Sequence, residues 1–274
     1  MAVTSERPTG VAVVTGGASG IGLAFARAYA AKGAHVVIGD IDEEAMEQVR
    51  AEMYASGAKV DCVRVDLQDA ESVAHLGEVA CSRGVLSAVC LNAGVAASGT
   101  PVWEIPDGTY EFVIGVNLTG LFTSIKTFVP VLVKQGLDAD LVITASMGGM
   151  VATPYGGAYA ASKAAAIALA KSLRAELSTV APAIRVAVLN PGVVATNLIR
   201  TSAARLPADV PPSDELVEGG HDFLNQTGVH PDVAVSWAMS ALERRAFWAL
   251  PNADDPFVAM LDAELDELGE SRSR

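Results

Sequence analysis

The chain has 274 residues, of which 51% are hydrophobic and 19% are charged, and its formal net charge is −13. These values predict a globular protein with a large core, and the acidic balance, with no run of Lys or Arg, argues against nucleic acid and anionic membranes as partners. No stretch reaches the ~18 uninterrupted apolar residues of a membrane span, and residues 1–10 lack the apolar core of a signal peptide. We therefore expect a cytoplasmic protein that binds a small molecule.

The cysteines and histidines give no sign of a metal site or a disulfide. Cys62, Cys81 and Cys90 lie far apart without a CxxC motif, and the four histidines show no HExxH spacing. Zinc sites and disulfide frameworks need closer or paired spacing. We expect no metal, and we expect the cysteines to be thiols in or near the core.

The first predicted strand, residues 11–15, leads into a glycine-rich loop and then an amphipathic helix that runs to about Lys32. This order is typical of phosphate binding, because glycines let the backbone approach a pyrophosphate and the free N–H groups at a helix start attract an anion. The spacing Gly16-x3-Gly20-x-Gly22 differs from GxGxxG. An ordinary turn between strand and helix is the alternative.

Asp40 follows the second predicted strand, residues 35–39, and stands eighteen positions after Gly22. Dinucleotide-binding folds place a ribose-binding acid at this distance. A carboxylate accepts hydrogen bonds from ribose hydroxyls and repels a 2′-phosphate, so Asp40 favours NAD over NADP, and the loop supplies no basic residue to compensate. The alternative is that Asp40 caps the next helix, residues 42–56.

Strands and helices continue to alternate along the chain. The pattern predicts helix 42–56, strand 60–65, helix 69–83, strand 85–91, a long helix from about 107 to 134, strand 139–145, helix 157–180 and strand 184–189. Such alternation indicates an α/β fold with a doubly wound parallel sheet of the Rossmann type, and we expect one domain over residues 1–274. Ligands bind beyond the carboxyl ends of such strands.

Tyr159 and Lys163 lie four residues apart in a predicted helix, so their side chains share one face. An ammonium close to a phenol favours the phenolate and lowers the tyrosine pKa, which suits a base at neutral pH. Ser146, at the end of the preceding strand, can direct its hydroxyl toward the same place. The alternative is an ordinary pair on a helix surface.

Taken together, these motifs resemble those of the short-chain dehydrogenase/reductase family, from about Gly10 to Pro251. The resemblance rests on T-G-x-x-x-G-I-G at 15–22, N-A-G at 92–94, Tyr159-x-x-x-Lys163 and P-G at 191–192. It implies a sheet of about seven strands with helices on both faces and hydride transfer with NAD(P). It also implies a homotetramer or homodimer built on helices 107–134 and 157–180.

The resemblance implies a catalytic role for four residues. Tyr159 would be the general acid/base, and Lys163 would bind the nicotinamide ribose and lower the tyrosine pKa. Ser146 would hydrogen-bond the substrate oxygen, and Asn117 would hold a water that links Lys163 to solvent. For Asn117, the alternative is an asparagine inside a helix that bonds only to backbone.

The resemblance and the glycine loop together imply a cofactor site in which Asp66 meets the adenine and Thr196 contacts the carboxamide. Its predicted residues are Gly16, Ser19, Gly20, Ile21, Gly22, Asp40, Asp66, Leu67, Asn92, Ala93, Gly94, Tyr159, Lys163, Pro191, Gly192, Val194 and Thr196.

The C-terminal part departs from a plain alternation. Residues 195–226 mix polar residues with prolines, as a substrate lid does, and helix 231–245 and a last strand at 246–250 follow. The tail, residues 254–270, predicts an acidic amphipathic helix with Phe257, Leu261, Leu265 and Leu268 on one stripe. It packs either on its own domain, which we favour slightly, or on a partner subunit.

The leading hypothesis is an NAD-dependent oxidoreductase that interconverts a hydrophobic secondary alcohol and its ketone. A dehydrogenase of a cyclic diol or sugar and a non-catalytic dinucleotide-binding protein are the alternatives. The residues near the catalytic groups are mostly apolar, which favours a bulky substrate, although several of them could simply pack a helix on the sheet. The predicted pocket residues are Ser146, Met147, Met150, Tyr155, Val193, Leu198 and Phe223.

Overall fold

The computed structural model describes residues 10–97, 99–207 and 213–272. Within these ranges a seven-stranded sheet has the order β3-β2-β1-β4-β5-β6-β7, and every neighbouring pair is parallel. This is the doubly wound sheet that the alternation predicts. The strands are β1 Val11–Thr15, β2 His35–Asp40, β3 Val60–Arg64, β4 Leu86–Leu91, β5 Ala139–Thr144, β6 Ile184–Leu189 and β7 Trp248–Ala249.

The helices connect successive strands and extend past the last one. They are α1 Gly20–Ala31, α2 Glu43–Ala55, α3 Ala70–Arg83, α4 Asp107–Ile114, α5 Leu121–Gln135, α6 Gly157–Val180, α7 Leu198–Ala203, α8 Asp214–Thr227, α9 Pro231–Glu243 and α10 Pro256–Arg272. A π-helical turn, Gly115–Gly120, joins α4 to α5, so the long helix predicted at 107–134 is continuous but locally widened.

Both faces of the sheet are covered, which explains why its strands are apolar at nearly every position. Successive strand residues point to opposite faces, so Val13 packs into one core cluster and Val14 into the other. On one face Phe128 of α5 contributes a fully buried ring, and on the other Phe25 of α1 does the same. The carboxyl ends of the strands between these layers stay free for a site.

The last strand is shorter than the predicted 246–250. Only Trp248 and Ala249 pair with β6. Ala246 still belongs to the turn that ends α9, since its N–H and that of Arg245 donate to carbonyls of that helix, whereas the Phe247 carbonyl already accepts from the Val188 N–H of β6. The turn at the end of the helix therefore takes Ala246, which the apolar pattern assigns to the strand.

The helix from Asp107 to Gln135 is long and apolar enough to cross a membrane by length and composition alone. A count of uninterrupted apolar residues does not detect it. In the fold its Phe128 and Leu132 are fully buried in the core cluster that α3 and α6 share. Such burial is typical of core helices, which pass the same composition test.

The cysteines differ in their exposure. Cys90 is buried and Cys62 half-buried, whereas Cys81 is exposed on α3, so the expectation of a near-core thiol is wrong for Cys81. The reason is its position, since Ala80 next to it takes the inward face of the helix. Among the described residues no group of three His, Cys, Asp or Glu side chains could hold a metal ion.

A buried charge lies inside the sheet at Asp140 of β5, which has no exposed surface. Arg185 of β6 donates two N–H groups to one of its carboxylate oxygens, and the Tyr29 hydroxyl donates to the other at 3.2 Å. A buried carboxylate is tolerated only with such partners.

We expect Arg185→Met to lower the free energy of unfolding by about 3–5 kcal/mol, because it leaves the Asp140 carboxylate buried without its cation. Urea unfolding followed by circular dichroism measures this. The matched control is Arg27→Met, whose exposed pair with Glu52 should contribute about 1 kcal/mol or less. Equal losses in the two variants would contradict the prediction.

Candidate active site

A cavity of about 780 Å³ opens beyond the carboxyl ends of β1, β2, β4, β5 and β6. All the residues predicted for the cofactor site line it, with the exception of Gly22. Of the predicted catalytic residues, Ser146, Tyr159 and Lys163 line it and Asn117 does not. The structure thus gathers residues from the whole length of the chain at one edge of the sheet.

The glycine loop lies directly against the loop that follows β4. Gly16 and Gly20 adopt positive φ angles of 63° and 51°, a conformation that favours glycine. A Cβ on Gly16 would lie 2.8 Å from the Ala93 Cα, and one on Gly22 would lie 1.9 Å from the Gly16 carbonyl oxygen. Gly22 is therefore needed for packing α1 on the loop, which explains why it does not face the cavity.

The start of α1 faces the cavity at Ser19, Gly20 and Ile21. Ser19 precedes the helix in an extended conformation, and no side chain caps the first N–H groups. These N–H groups carry the positive end of the helix dipole, and an anion near them would be stabilised.

Asp40 is held at the end of β2 by two backbone groups. Its carboxylate accepts from the Ala18 N–H at 3.0 Å and from the Asp42 N–H at 3.1 Å. The next helix is capped by Asp42, which accepts from the Ala45 N–H at 3.0 Å. The alternative that Asp40 is the helix cap is therefore wrong.

Arg205 reaches the same end of the cavity from the segment after α7. Its Nη2 lies 3.1 Å from Asp42 Oδ2, and both residues line the cavity. The hydrogen bond from Ala45, helped by Arg205 and opposed by burial, lowers the pKa of Asp42. Arg205 stands 163 positions from Asp42, and no local pattern in the sequence marks it as a basic residue near Asp40.

The ends of β1 and β4 are bonded to each other through side chains. The Thr15 hydroxyl accepts from the N–H groups of Asn92 and Ala93 at 3.0 and 3.2 Å. The Asn92 amide donates back to the Thr15 carbonyl at 3.2 Å. These bonds hold the wall of the cavity on which Gly94 lies.

Ser146, Tyr159 and Lys163 form the opposite wall. Tyr159 and Lys163 lie one turn apart on α6, and Ser146 follows β5, where its hydroxyl accepts from the Gly148 N–H at 3.1 Å. Lys163 Nζ donates to the Thr144 carbonyl at 3.2 Å and lies 5.6 Å from the centre of the Tyr159 ring.

Burial controls the protonation of this wall. It raises the pKa of Tyr159, against the opposing hydrogen bond from Ser146, and it lowers the pKa of Lys163 to about 8. The expectation that Lys163 lowers the Tyr159 pKa is therefore wrong for this arrangement. The physical reason is desolvation of the phenol, which is the largest influence on its pKa, while the Lys163 ammonium donates to the Thr144 carbonyl.

Asn117 is almost fully buried in the π-helical turn. Its Oδ1 accepts from the Val95 N–H at 2.8 Å, and its Nδ2 donates to the Val95 carbonyl at 2.8 Å and to Ser162 Oγ at 3.0 Å. Both N–H donors of the Asn117 amide therefore bond to protein acceptors. This agrees with the alternative of an asparagine that bonds largely to backbone. Its evident effect is to fix the loop beside Gly94, where a Cβ would lie 3.0 Å from Lys163 Nζ and 3.2 Å from Asn117 Oδ1.

The residues predicted for the substrate pocket divide into two groups. Val193, Leu198 and Phe223 line the cavity together with Ser146. Met147 is fully buried, Met150 packs against the core and Tyr155 is 60% exposed, so these three do not line the cavity.

The chain path explains why these three residues miss the cavity. A short 3₁₀ turn, Met147–Gly149, carries Met147 into the interior. Tyr155 then adopts a positive φ of 62°, and its side chain is exposed at the surface. Thr153 and Gly156 from this segment line the cavity instead.

The segment predicted as a lid forms α7 and α8, apart from residues 208–212, which lie outside the described residues. Ser202 Oγ accepts from the Ala96 N–H at 2.9 Å and so ties α7 to the loop after β4. Arg200 and Glu218 form an ion pair that joins α7 to α8.

The predicted tail helix is α10, and it packs on its own domain. Phe257 lines the cavity, and sequence reasoning found only the amphipathic stripe that contains it. Leu265 and Leu268 are exposed, so the predicted stripe of four residues is split. Glu264, one turn past Leu261, takes the inward position and accepts from the Ala152 N–H at 2.9 Å.

Comparison with known proteins agrees with this geometry. The profile of a family described as short chain dehydrogenase matches residues 10–206. The chain belongs to the short-chain dehydrogenase/reductase family, and it is an oxidoreductase of that family. A family member from Burkholderia phymatum, solved in complex with NAD, has a TM-score of 0.89 at 27% identity, covering 97% of this chain and 96% of its own.

Two relatives from Streptomyces share a name, 1-deoxy-11-beta-hydroxypentalenate dehydrogenase. The protein from Streptomyces arenae is 42% identical over 252 residues, which cover 90% of this chain and 84% of the relative. The protein from Streptomyces exfoliatus is 43% identical over 194 residues, which cover 70% of each chain.

We expect Lys163→Met to remove a pH dependence of stability. The buried ammonium has a pKa of about 8 against its usual 10.5, so between these values the unfolded chain binds more protons than the folded one. The free energy of unfolding of the parent should therefore rise with pH across this window, by at most about 1.4 kcal/mol per pH unit. Methionine does not titrate, and the variant should lack the rise. Urea unfolding of both proteins between pH 8 and pH 10.5 measures this pH dependence. If the free energies of unfolding of parent and variant change with pH in parallel, the lowered pKa of Lys163 is contradicted.

Proposed function

We propose that the chain is an NAD-dependent dehydrogenase that interconverts a bulky, apolar secondary alcohol and its ketone. One observation carries the proposal. Ser146, Tyr159 and Lys163 stand on one wall of a cavity whose far end carries Asp40 and the glycine loop. A dinucleotide and an alcohol would share this cavity, with the reactive ends beside Tyr159.

The cofactor end fits a dinucleotide. The glycine loop leaves space that a Cβ would fill, and uncapped N–H groups at the start of α1 suit a pyrophosphate. Asp40 would accept hydrogen bonds from ribose hydroxyls. Arg205 is paired with Asp42, so Asp40 remains an uncompensated carboxylate that would repel a 2′-phosphate.

The reaction would be supported by the chain's own proton-transferring groups. The bound nicotinamide would supply hydride acceptance or donation. Tyr159 would take the proton from the substrate hydroxyl during oxidation and return it during reduction. Ser146 would orient that oxygen, and Lys163 would hold the ribose through an ammonium that burial has made easier to deprotonate.

The part of the cavity beside the catalytic residues, called the substrate lobe below, favours a substrate with an apolar carbon skeleton. Val193, Leu198, Phe223 and Phe257 line it. In the described part of the chain the cations that line the cavity are Lys163 and Arg205, and each already has a partner. We therefore infer that the skeleton is recognised by apolar contact, and the hydroxylated carboxylate named for the Streptomyces relatives, 1-deoxy-11-beta-hydroxypentalenate, is the large alcohol to test.

The two alternatives have less support. A cyclic diol or sugar would need fixed polar groups in the lobe, where the described lining is largely apolar. A protein that only binds a dinucleotide would not require a serine, a tyrosine and a buried lysine converging on the cavity. We further infer a cytoplasmic homodimer or homotetramer with one Rossmann-type domain, a lid near 195–226 and a tail near 254–270.

Tyr159→Phe should abolish turnover while it leaves NAD binding intact, because the change removes only the hydroxyl that transfers the proton. We expect kcat to fall at least ~10²-fold. NAD reduction with ring-bearing and long-chain secondary alcohols measures turnover, and NADH fluorescence titration measures binding.

Tyr155→Phe is the matched control, since Tyr155 is exposed and does not line the cavity. It should keep the activity of the parent. A Tyr159→Phe protein that turns over within a few-fold of the parent would end the assignment of Tyr159 as the acid/base.

Asp40→Asn should reduce the preference for NAD over NADP by about tenfold or more. The amide keeps one oxygen that can accept a hydrogen bond from a backbone N–H. The substitution removes the negative charge that binds ribose hydroxyls and repels a 2′-phosphate. The ratio of kcat/KM for the two dinucleotides measures the change. Glu44→Gln, an exposed neighbour outside the cavity, is the control and should leave the ratio unchanged. A parent protein that prefers NADP would refute the role given to Asp40.

A further inference from the structure

The last helix, α10, lies outside the matched family region, yet it reaches the cavity. It begins at Pro256, after the short strand β7, and its first turn carries Phe257. A helix that reaches the cavity at this place can set which substrates fit without changing the catalytic groups.

The start of α10 is fixed against the turn that follows β6. Asp255 Oδ1 accepts from the Phe257 N–H at 2.9 Å. The same carboxylate occupies the space beside Gly192, where a Cβ would lie 2.6 Å from Oδ2. Any side chain at position 192 would displace Asp255, so the turn and the helix start are fitted to each other.

The middle of α10 is fixed to the segment that follows β5. Glu264 stands seven residues after Phe257, two turns along the same face of the helix. Its Oε1 accepts from the Ala152 N–H at 2.9 Å, and Ala152 lies between Ser146 and Tyr159 in the chain. The helix therefore joins the two segments that bring Ser146 and Gly192 to the cavity.

Phe257 is half-buried and lines the cavity with Val193 and Phe223. On the same helix, Leu265 is 55% exposed and does not line the cavity. The difference shows that α10 turns one apolar side chain toward the cavity and others to the surface. A large aromatic group at this place limits the size of the lobe and offers contact to a large ligand.

We propose that Phe257 is a specificity-determining residue that closes the substrate lobe, and that Glu264 is a positioning residue that holds α10 in place. This inference rests on the proposed function, since it concerns the same cavity. A bulky alcohol contacts the Phe257 ring, whereas a small alcohol bound at Ser146 and Tyr159 does not reach it.

The test compares Phe257→Ala with the parent on two alcohols, 1-deoxy-11-beta-hydroxypentalenate and 2-butanol. The ratio of kcat/KM for the large over the small alcohol should fall about tenfold or more, since one buried aromatic ring contributes a factor of this order. Phe257→Leu, which keeps an apolar contact, should recover part of the ratio. NADH affinity should not change in either variant.

Leu265→Ala is the matched control on the same helix and should keep the ratio of the parent. An unchanged ratio in Phe257→Ala, or an equal fall in Leu265→Ala, would overturn the inference. Glu264→Ala should lower the ratio through a higher KM for the large alcohol with kcat preserved, and Glu264→Gln, which keeps an acceptor oxygen, should restore it. Loss of kcat on both alcohols in Glu264→Ala, without rescue, would overturn the positioning role.

Titration calorimetry of both alcohols separates this inference from the proposed function. Binding of the large alcohol that depends on Phe257, without turnover by the parent, would contradict the proposed function alone. Turnover that is insensitive to Phe257 would contradict this inference alone. Neither binding nor turnover of the large alcohol by the parent would overturn both.

Discussion

The close approach of two backbone segments is the constraint on which the site depends. The glycine loop can lie against the end of β4 only because Gly16 and Gly22 have no side chains, since a Cβ on either would collide with backbone. This contact brings the Thr15 hydroxyl within reach of the N–H groups of Asn92 and Ala93, so two strand ends become one wall. A parallel sheet places strand ends at the same edge, and the glycines let these ends meet closely enough to enclose a narrow cavity.

Burial sets the chemistry of the opposite wall. The same desolvation raises the pKa of Tyr159 and lowers that of Lys163 to about 8, so each side chain is driven toward its uncharged form. Ser146 opposes this for the tyrosine by its hydrogen bond. A proton therefore passes from Tyr159 to Lys163 less readily than between the free side chains, because the transfer would leave both groups charged in a buried place.

Short-range patterns predicted the fold and the cofactor end, because strand, loop and helix periods and the place of Asp40 are local properties of the chain. They failed for residues whose position depends on contacts between distant parts of the chain or on the direction of a local turn. Arg205 reaches Asp42 from 163 positions away, and no pattern near either residue announces it. Met147 follows Ser146 in sequence, but a 3₁₀ turn sends it into the interior. Phe257 belonged to a recognisable stripe, yet only the path of the chain after β7 decides that the stripe meets the cavity.

The two ends of the cavity differ in how firmly they are held. The cofactor end is built on strands paired along their length and buried on both faces, and these share the cooperative stability of the core. The substrate end is closed by α7 and α10, which no strand anchors. Among the polar contacts, α7 is held to the loop after β4 through Ser202 and to α8 through Arg200, and α10 is held to the segment after β5 through Glu264. Single bonds of this kind contribute about 0.5–1.5 kcal/mol each. The substrate end therefore depends on a few polar contacts and on apolar packing, so a change in the size of a side chain or ligand is accommodated there at a lower cost in free energy than beside Asp40 and the glycine loop.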